Sequence, residues 1–193
     1  MTFEQYLDRF MGADEHVELI KGVPVERMAT QWDHEMLQVW MLRLLGTFVE
    51  EHNLGVVVGS RSAVKIDQFG GRLPDLLFIS HDRMTFVEQR AIYGAPNLVI
   101  EIRSPGDNPS DIASLEADYR SIGVPEIWFI DPRAKSVRAL RKRVGDYDEV
   151  NAKSGVLRSE TVTGFWVELD WLFKEPRLTV RKALETIEGN TNL

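Results

Sequence analysis

The strongest constraint on the fold is a short apolar run, residues 97–105, that carries a carboxylate near its centre. Its leucine, valine and isoleucine residues, with proline before the run and Pro-Gly at its end, predict a buried strand. Strand side chains alternate between two faces, so Glu101 and Arg103 share one face with Val99. An ionised carboxylate in such a strand is costly unless a cation, a metal or several hydrogen-bond donors meet it. What lies opposite Glu101 is therefore the main question about function.

Length and composition predict one globular domain. The chain has 193 residues, of which 44% are hydrophobic and 27% charged, so we expect a single domain at 1–188 and a disordered tail at 189–193. The absence of cysteine excludes disulfides and thiolate metal sites. No apolar run approaches the ~18 residues that span a bilayer, and no secretory pattern opens the sequence, so we expect a cytoplasmic protein without a membrane partner. The net charge of −7 counts against a simple nucleic-acid binder, although a local basic patch matters more than the total.

Hydrophobic periodicity predicts a mixed sheet with helices packed on it. Apolar stripes and capping residues predict helices at 2–12, 31–53, 111–122 and 179–188, and a short helix within 83–92. Besides the central run, strands are predicted at 16–20, 23–28, 56–58, 62–66, 75–79, 126–130, 137–143, 147–151 and 156–162, with 68–74 as a loop. The strand–helix–strand spacing from 98 to 130 predicts a parallel pair, and the later turn residues predict antiparallel hairpins. The fold class is therefore α/β (α+β), a mixed central sheet flanked by helices with additional antiparallel hairpins.

Two carboxylates stand where strands meet loops or crossovers. Asp75 opens one predicted strand, and Glu101 lies in the central run. If neighbouring strands bring them together, these hard oxygen ligands suit Mg²⁺, which keeps most of its waters for substrate. The spacing alone leaves another interpretation open, in which Glu101 forms a structural ion pair with Arg103 or another base.

Several motifs resemble those of a known nuclease fold. Pro74-Asp75 followed by Glu101-Ile102-Arg103 is similar to the Pro-Asp…(Asp/Glu)-x-Lys signature, PD-(D/E)xK, of restriction-endonuclease-like proteins. More specifically, the chain resembles the Uma-type family of restriction endonucleases over most of its length. The segments that carry this resemblance are 18–22, His34, 72–75, 98–105, 164–166, 171–173 and, most specifically, 119–132.

The resemblance implies a Mg²⁺- or Mn²⁺-dependent DNA endonuclease that hydrolyses phosphodiester bonds, and it leaves a homodimer open. Asp75 and Glu101 would be metal ligands, with the backbone carbonyl of Ile102 as a further ligand. Glu18 would be an additional carboxylate near the metal, and His34 a polar neighbour. Periodicity alone predicts instead that Glu18 faces outward, because apolar residues flank it on both sides. A bound divalent ion lowers the pKa of its water and neutralises charge on the phosphate, so few other groups are needed.

One position departs from the family's pattern. The lysine of the fold normally lies two residues after the glutamate, and in many Uma-type sequences it lies instead four residues before the tyrosine that matches Tyr119. This chain has Arg103 at the first position and Leu115, on the inner stripe of its helix, at the second. Arginine can hold a phosphate but, being always protonated, cannot act as a base. Three hypotheses follow: an active nuclease that uses Arg103, a non-catalytic nucleic-acid or protein binding module with a degraded site, and an interaction protein with Glu101 and Arg103 as a structural pair.

A basic run on a predicted hairpin could add contacts to DNA. Its members are Arg133, Lys135, Arg138, Arg141, Lys142 and Arg143. They could bind phosphates, or they could be ordinary solvated charges on a hairpin surface.

Overall fold

A computed structural model describes residues 1–12, 15–27, 31–59 and 61–189. The helices in this part of the chain are α1 Phe3–Phe10, α2 Trp32–Glu51, α3 Pro109–Ser121, α4 Leu169–Phe173 and α5 Val180–Gly189, together with a 3₁₀ helix His81–Phe86. The strands are β1 Val17–Ile20, β2 Val23–Glu26, β3 Gly55–Gly59, β4 Val64–Asp67, β5 Gly70–Arg72, β6 Leu76–Ser80, β7 Leu98–Ile102, β8 Glu126–Asp131, β9 Ser136–Lys142, β10 Tyr147–Ala152, β11 Val156–Arg158 and β12 Trp166–Glu168. None of the helices in the described ranges is long and apolar enough to cross a membrane.

Six strands form the main sheet, in the order β10-β9-β8-β7-β6-β3. β7 and β8 run parallel, with Leu98 opposite Glu126, and α3 forms the crossover between them. The other neighbouring pairs of this sheet are antiparallel. The predicted mixed sheet, its parallel pair and its C-terminal hairpin are therefore confirmed.

The central strand β7 separates two parts of the core. Leu98 packs with residues of α2 and α5 on one face of the sheet. Val99 packs with Leu115 and Tyr119 of α3 on the other face. Because strand side chains alternate, Glu101 lies on the face that α3 covers.

A second, antiparallel sheet near the N-terminus has the strand order β2-β1-β5-β4. The turn between β1 and β2 has φ of 48° at Lys21 and 80° at Gly22, a left-handed conformation that favours glycine. α1 packs on this sheet, and the ring of Phe3 lies so close to Gly71 that a Cβ at position 71 would approach it to 2.4 Å. Glycine is therefore required where α1 meets the sheet.

The structure differs from the sequence prediction at residues 70–72, at 83–92 and at the C-terminus. Residues 70–72, predicted as loop, form strand β5, which pairs with β1 and β4. The sequence gives no strand signal here, because two of the three residues are glycine. The short helix predicted within 83–92 is correct only at its start, because a 3₁₀ helix covers His81–Phe86 and the chain then makes a turn in which Val87 bridges to Ile92 and Ile92 to β4. At the C-terminus, Gly189 closes α5 instead of beginning a tail, and residues 190–193 lie outside the described ranges, as does Met28.

Candidate active site

Asp75 and Glu101 lie side by side on neighbouring strands. β6 and β7 pair antiparallel with Leu76 opposite Ile100, and this register continued by one residue sets Asp75 opposite Glu101. Directly opposite residues on antiparallel strands point to the same face of the sheet. Both residues, together with Ile102, line a cavity of about 520 Å³. The structure thus brings together the two carboxylates that the sequence singled out.

The Glu101 carboxylate is short of compensating charge. Glu101 is 4% exposed, and the hydroxyl of Tyr119 on α3 donates a hydrogen bond to its Oε1. Burial raises the pKa of Glu101 well above its ordinary value, and the charge of Asp75 raises it further, whereas the Tyr119 hydrogen bond and the charge of Arg27 act in the opposite direction. Within the described part of the chain, no side-chain cation forms an ion pair with Glu101, and the Tyr119 hydroxyl is its one hydrogen-bond donor.

Asp75 is held in place by β7 and α2. Its Oδ2 accepts a hydrogen bond from the Ile102 backbone N–H at 2.7 Å and lies 3.2 Å from Nε2 of His34. The same Nε2 lies 2.9 Å from the Ile102 carbonyl oxygen, and because both neighbours are acceptors, this nitrogen carries the proton. Gln38, one helical turn beyond His34, donates to the Asp75 carbonyl oxygen at 2.8 Å. His34, predicted as a polar neighbour of the metal, thus contacts Asp75 directly.

The charge state of His34 follows from these contacts. Burial lowers the pKa of His34, but the hydrogen bond to Asp75 and the charge of that carboxylate outweigh burial and raise the pKa above its ordinary value. The imidazolium form therefore gains stability from the site, and it neutralises part of the charge on Asp75.

Glu18 is fully buried, contrary to the outward orientation that periodicity predicts. Its Oε1 accepts a hydrogen bond from the Leu73 backbone N–H at 3.1 Å, and its Oε2 lies 3.0 Å from Nη1 of Arg72. Arg72, which is 2% exposed, also donates to Asp118 and Ser114 of α3. The sequence prediction failed here because it missed β5, which lies next to β1 and carries Arg72. With both oxygens engaged, Glu18 fixes the segment that leads into β6.

Arg103 lines the same cavity but forms its ion pair with Asp131, at the end of β8, with an N–O distance of 2.9 Å. Its side chain is 32% exposed. Within the described part of the chain, no ion pair joins Arg103 to Glu101. The interpretation of these two residues as a structural pair is therefore wrong, and Tyr119 occupies the place next to Glu101.

Leu115 is an apolar part of the cavity wall. It is buried against Val99 and Tyr119, and it lines the cavity together with Glu101. The prediction that Leu115 points towards the sheet that bears Glu101 is confirmed. Leu115 therefore presents hydrocarbon at the cavity wall, where the resemblance implies a lysine.

Four residues of this site were not identified from the sequence as functional: Gln38, Arg27, Arg72 and Tyr119. A signal existed for Gln38, because it lies four residues after His34 on an otherwise apolar helix face. Tyr119 was assigned only to the core stripe of α3. The two arginines gave no periodic signal, since their carboxylate partners come from other strands and helices.

Three of the six residues of the basic run around β9 form ion pairs within the chain. Its arginines at 138, 141 and 143 form the ion pairs Arg138–Glu116, Arg138–Glu149, Arg141–Glu126, Arg141–Glu160, Arg143–Asp148 and Arg143–Glu160. This pattern agrees with the alternative that the run is ordinary hairpin charge, and it leaves the cavity arginines as the stronger candidates for contacts to a polyanion.

The fold is a mixed α/β sheet in which the neighbouring strands β6 and β7 bring the carboxylates of Asp75 and Glu101 together. The chain belongs to the Uma2 family, described as "Putative restriction endonuclease", whose model matches residues 3–172. The family resemblance seen in the sequence is thereby confirmed.

The fold is also that of a solved structure. It is "a putative nuclease belonging to DUF820" from Anabaena variabilis, with a TM-score of 0.71 and 18% sequence identity over 86% of this chain and 96% of that chain. At this identity the likeness shows the fold alone. No curated protein matches the chain.

Proposed function

We propose that the protein is a metal-dependent endonuclease that hydrolyses phosphodiester bonds of DNA, with Asp75 and Glu101 as ligands of Mg²⁺ or Mn²⁺. Membership of a family described as restriction endonucleases supports nuclease chemistry. The single observation that carries the proposal is that Glu101 and Asp75 lie opposite each other in one cavity, where the Tyr119 hydroxyl is the one described hydrogen-bond donor to Glu101.

The other buried glutamates show how unusual this carboxylate is. Glu126 accepts hydrogen bonds from the Trp128, Ser159 and Thr161 side chains and from the Glu160 and Thr161 backbone N–H groups. Glu18 is met by Arg72 and by a backbone N–H. Among the described residues, Tyr119 is the one hydrogen-bond donor to Glu101, and its strand neighbour is a second carboxylate. A cation between Glu101 and Asp75 would supply the missing charge.

The donor set fits magnesium or manganese. Carboxylate and carbonyl oxygens are the hard ligands that Mg²⁺ prefers, and Mg²⁺ binds through one or two carboxylates while keeping several waters. The Ile102 carbonyl accepts a hydrogen bond from His34 but has a second lone pair for a metal. The described residues contain no group of three or more His, Cys, Asp or Glu side chains that could hold a metal ion, so water and substrate would complete the coordination.

A bound divalent ion supplies a water of lowered pKa and neutralises charge on the phosphate. The residues of the chain orient the ligands for this chemistry. His34 and Gln38 fix Asp75, and the Tyr119 hydroxyl fixes Glu101. Glu18 we assign to positioning, because its oxygens already hold the segment before Asp75.

The proposal is tested by calorimetric titration with Mn²⁺ and by cleavage of supercoiled plasmid in Mg²⁺. We expect Glu101→Gln to weaken Mn²⁺ binding by more than ~10-fold, since one anionic ligand is lost, and to abolish cleavage. The matched control is Glu185→Gln, the same substitution on an exposed residue of α5, which should behave as the wild type. Unchanged Mn²⁺ affinity in Glu101→Gln would refute the metal site.

A second candidate function is a nucleic-acid binding module of the same fold without catalysis. The apolar Leu115, at the position of the family's helical lysine, favours it. Wild-type protein that binds Mn²⁺ but leaves supercoiled, linear and single-stranded DNA intact would support this module, whereas cleavage that Glu101→Gln abolishes would exclude it.

A further inference from the structure

Three arginines line the cavity that contains Asp75 and Glu101, and they differ in how firmly they are held. Arg72 donates to Glu18, Asp118 and Ser114 and is almost inaccessible. Its donors are engaged within the fold, so a ligand would have to displace these contacts to reach it.

Arg103 is also engaged. Its Nη1 donates to Asp131 at 2.9 Å, a charge-assisted hydrogen bond that directs the guanidinium towards the end of β8. The remaining arginine of the cavity wall is Arg27, whose charge lowers the pKa of Glu101.

Arg27 follows the last residue of β2, and its backbone N–H donates to the His16 carbonyl oxygen at 2.6 Å, which anchors the residue at the cavity wall. Its side chain is 33% exposed. Within the described ranges its one ion pair is a loose contact, with Nε 3.7 Å from Oε2 of Glu18, and it makes no side-chain hydrogen bond. Glu18 already has Arg72 and a backbone donor, so among the described residues the Arg27 guanidinium has this one loose contact.

The charge of Arg27 belongs to the same electrostatic cluster as the proposed metal ligands. Burial lowers the pKa of Arg27, but the carboxylates of Glu18, Glu101 and Asp75 outweigh burial and raise the pKa above its ordinary value. Arg27 therefore stays protonated, and its charge interacts with the carboxylates of both Asp75 and Glu101.

We propose that Arg27 binds the phosphodiester that reacts in this cavity, in place of the lysine that the chain lacks. The inference rests on the proposed function and assigns the phosphate contact to one residue of that site. A guanidinium offers planar, forked donors that match two phosphate oxygens, and it stabilises negative charge without taking a proton. Leu115 cannot supply this charge, and Arg72 and Arg103 already donate to carboxylates.

The test measures binding, so that it remains informative if cleavage is absent. The probe is a fluorescein-labelled double-stranded oligonucleotide titrated with protein in Ca²⁺, with the integrity of the DNA checked on a gel. We expect Arg27→Gln to weaken binding about ten- to hundredfold, as for loss of a charged hydrogen bond, and to reduce the slope of log affinity against log salt by about one. Arg27→Lys should recover part of the affinity, since the charge returns without the fork.

Two comparisons separate this contact from general effects. Arg181→Gln removes the same charge from an exposed position on α5 and should leave affinity at the wild-type value. Arg103→Gln should have a smaller effect than Arg27→Gln. Thermal unfolding of each variant, and its Mn²⁺ affinity, should stay near the wild type, which shows that fold and metal site persist.

The outcomes distinguish the two proposals. Wild type that does not cleave, but whose DNA affinity depends on Arg27, refutes the nuclease and keeps the phosphate contact. An Arg27→Gln variant that binds as the wild type does refutes the inference whether or not cleavage occurs. A larger loss in Arg103→Gln, or no DNA binding by the wild type, also overturns it.

Discussion

Arg72→Met is expected to destabilise the protein strongly, because it removes a buried cation from the surroundings of the site. Arg72 is 2% exposed and lies between three elements, with donors 3.0 Å from Glu18, 2.8 Å from Ser114 and 2.7 Å from Asp118. Methionine keeps most of the aliphatic volume but removes the charge and all three contacts. Glu18, which is fully buried, then loses its main cation.

The magnitude follows from which contacts remain. Removing one partner of a buried ion pair typically costs about 3–5 kcal/mol, because the other charge stays buried and unpaired. The Leu73 backbone N–H still donates to Glu18, and Arg27 at 3.7 Å can move closer, so we expect the lower end, about 3 kcal/mol. This is a large fraction of the roughly 5–15 kcal/mol by which a domain is stable.

Urea denaturation followed by tryptophan fluorescence measures the effect. With a slope of about 2 kcal/mol/M, the midpoint should fall by about 1.5 M. The double variant Arg72→Met with Glu18→Leu should recover most of the loss, because replacing both members of a buried pair by apolar groups is often neutral. A loss below ~1 kcal/mol in Arg72→Met, or a double variant that is less stable than the single one, would contradict the view that Glu18 depends on Arg72.

Two further predictions concern α3. Burial raises the pKa of Glu116, but the hydrogen bonds and charges of Arg138 and Arg120 outweigh burial and lower the pKa below 4.5. The ionised Glu116 therefore stabilises the folded state above pH 4.5, and this stabilisation is lost as the pH falls through the folded-state pKa. The difference in unfolding free energy between wild type and Glu116→Gln, measured in urea, should therefore shrink from pH 7 to pH 3, and a difference that grows in acid would contradict this. Leu115→Lys should place an ammonium near Glu101 and increase plasmid cleavage over the wild type, at a cost in melting temperature, while the uncharged control Leu115→Met should not increase it.

Much of the fold could be predicted because the signals are local. α1 begins where predicted because Thr2 and Gln5 form a reciprocal capping box. This motif can be recognised in the sequence from the two residue types and their spacing of three. The parallel pair follows from the length of the crossover between two apolar runs, which α3 fills. β5, by contrast, has three residues of which two are glycine, and its strand conformation comes from partners on both sides. Such a strand carries no pattern of its own.

The candidate site could be predicted only in part, and the buried glutamates show why. Glu18, Glu101 and Glu126 each lie in a strand beside apolar residues, so their local sequences give no reason to treat them differently. The three glutamates differ in their hydrogen-bond donors, which are distant along the chain. These donors lie 54 residues from Glu18, 33 to 35 residues from Glu126 and 18 residues from Glu101 in the sequence. The family resemblance selected Glu101 without this information, and it could not tell that Glu18 is already neutralised.

The comparison of the three buried glutamates also bears on the function of Glu101. A fold that surrounds Glu126 with five donors, and Glu18 with a guanidinium, is able to satisfy a buried carboxylate from its own side chains. At Glu101 the fold supplies one hydroxyl and sets Asp75 alongside, which makes the ionised state more costly. Packing does not require this arrangement, because an apolar residue on the Val99 face would bury as well and would be more stable. The proposed cation between Asp75 and Glu101 would offset this cost, and the Mn²⁺ titration of Glu101→Gln decides whether it binds there.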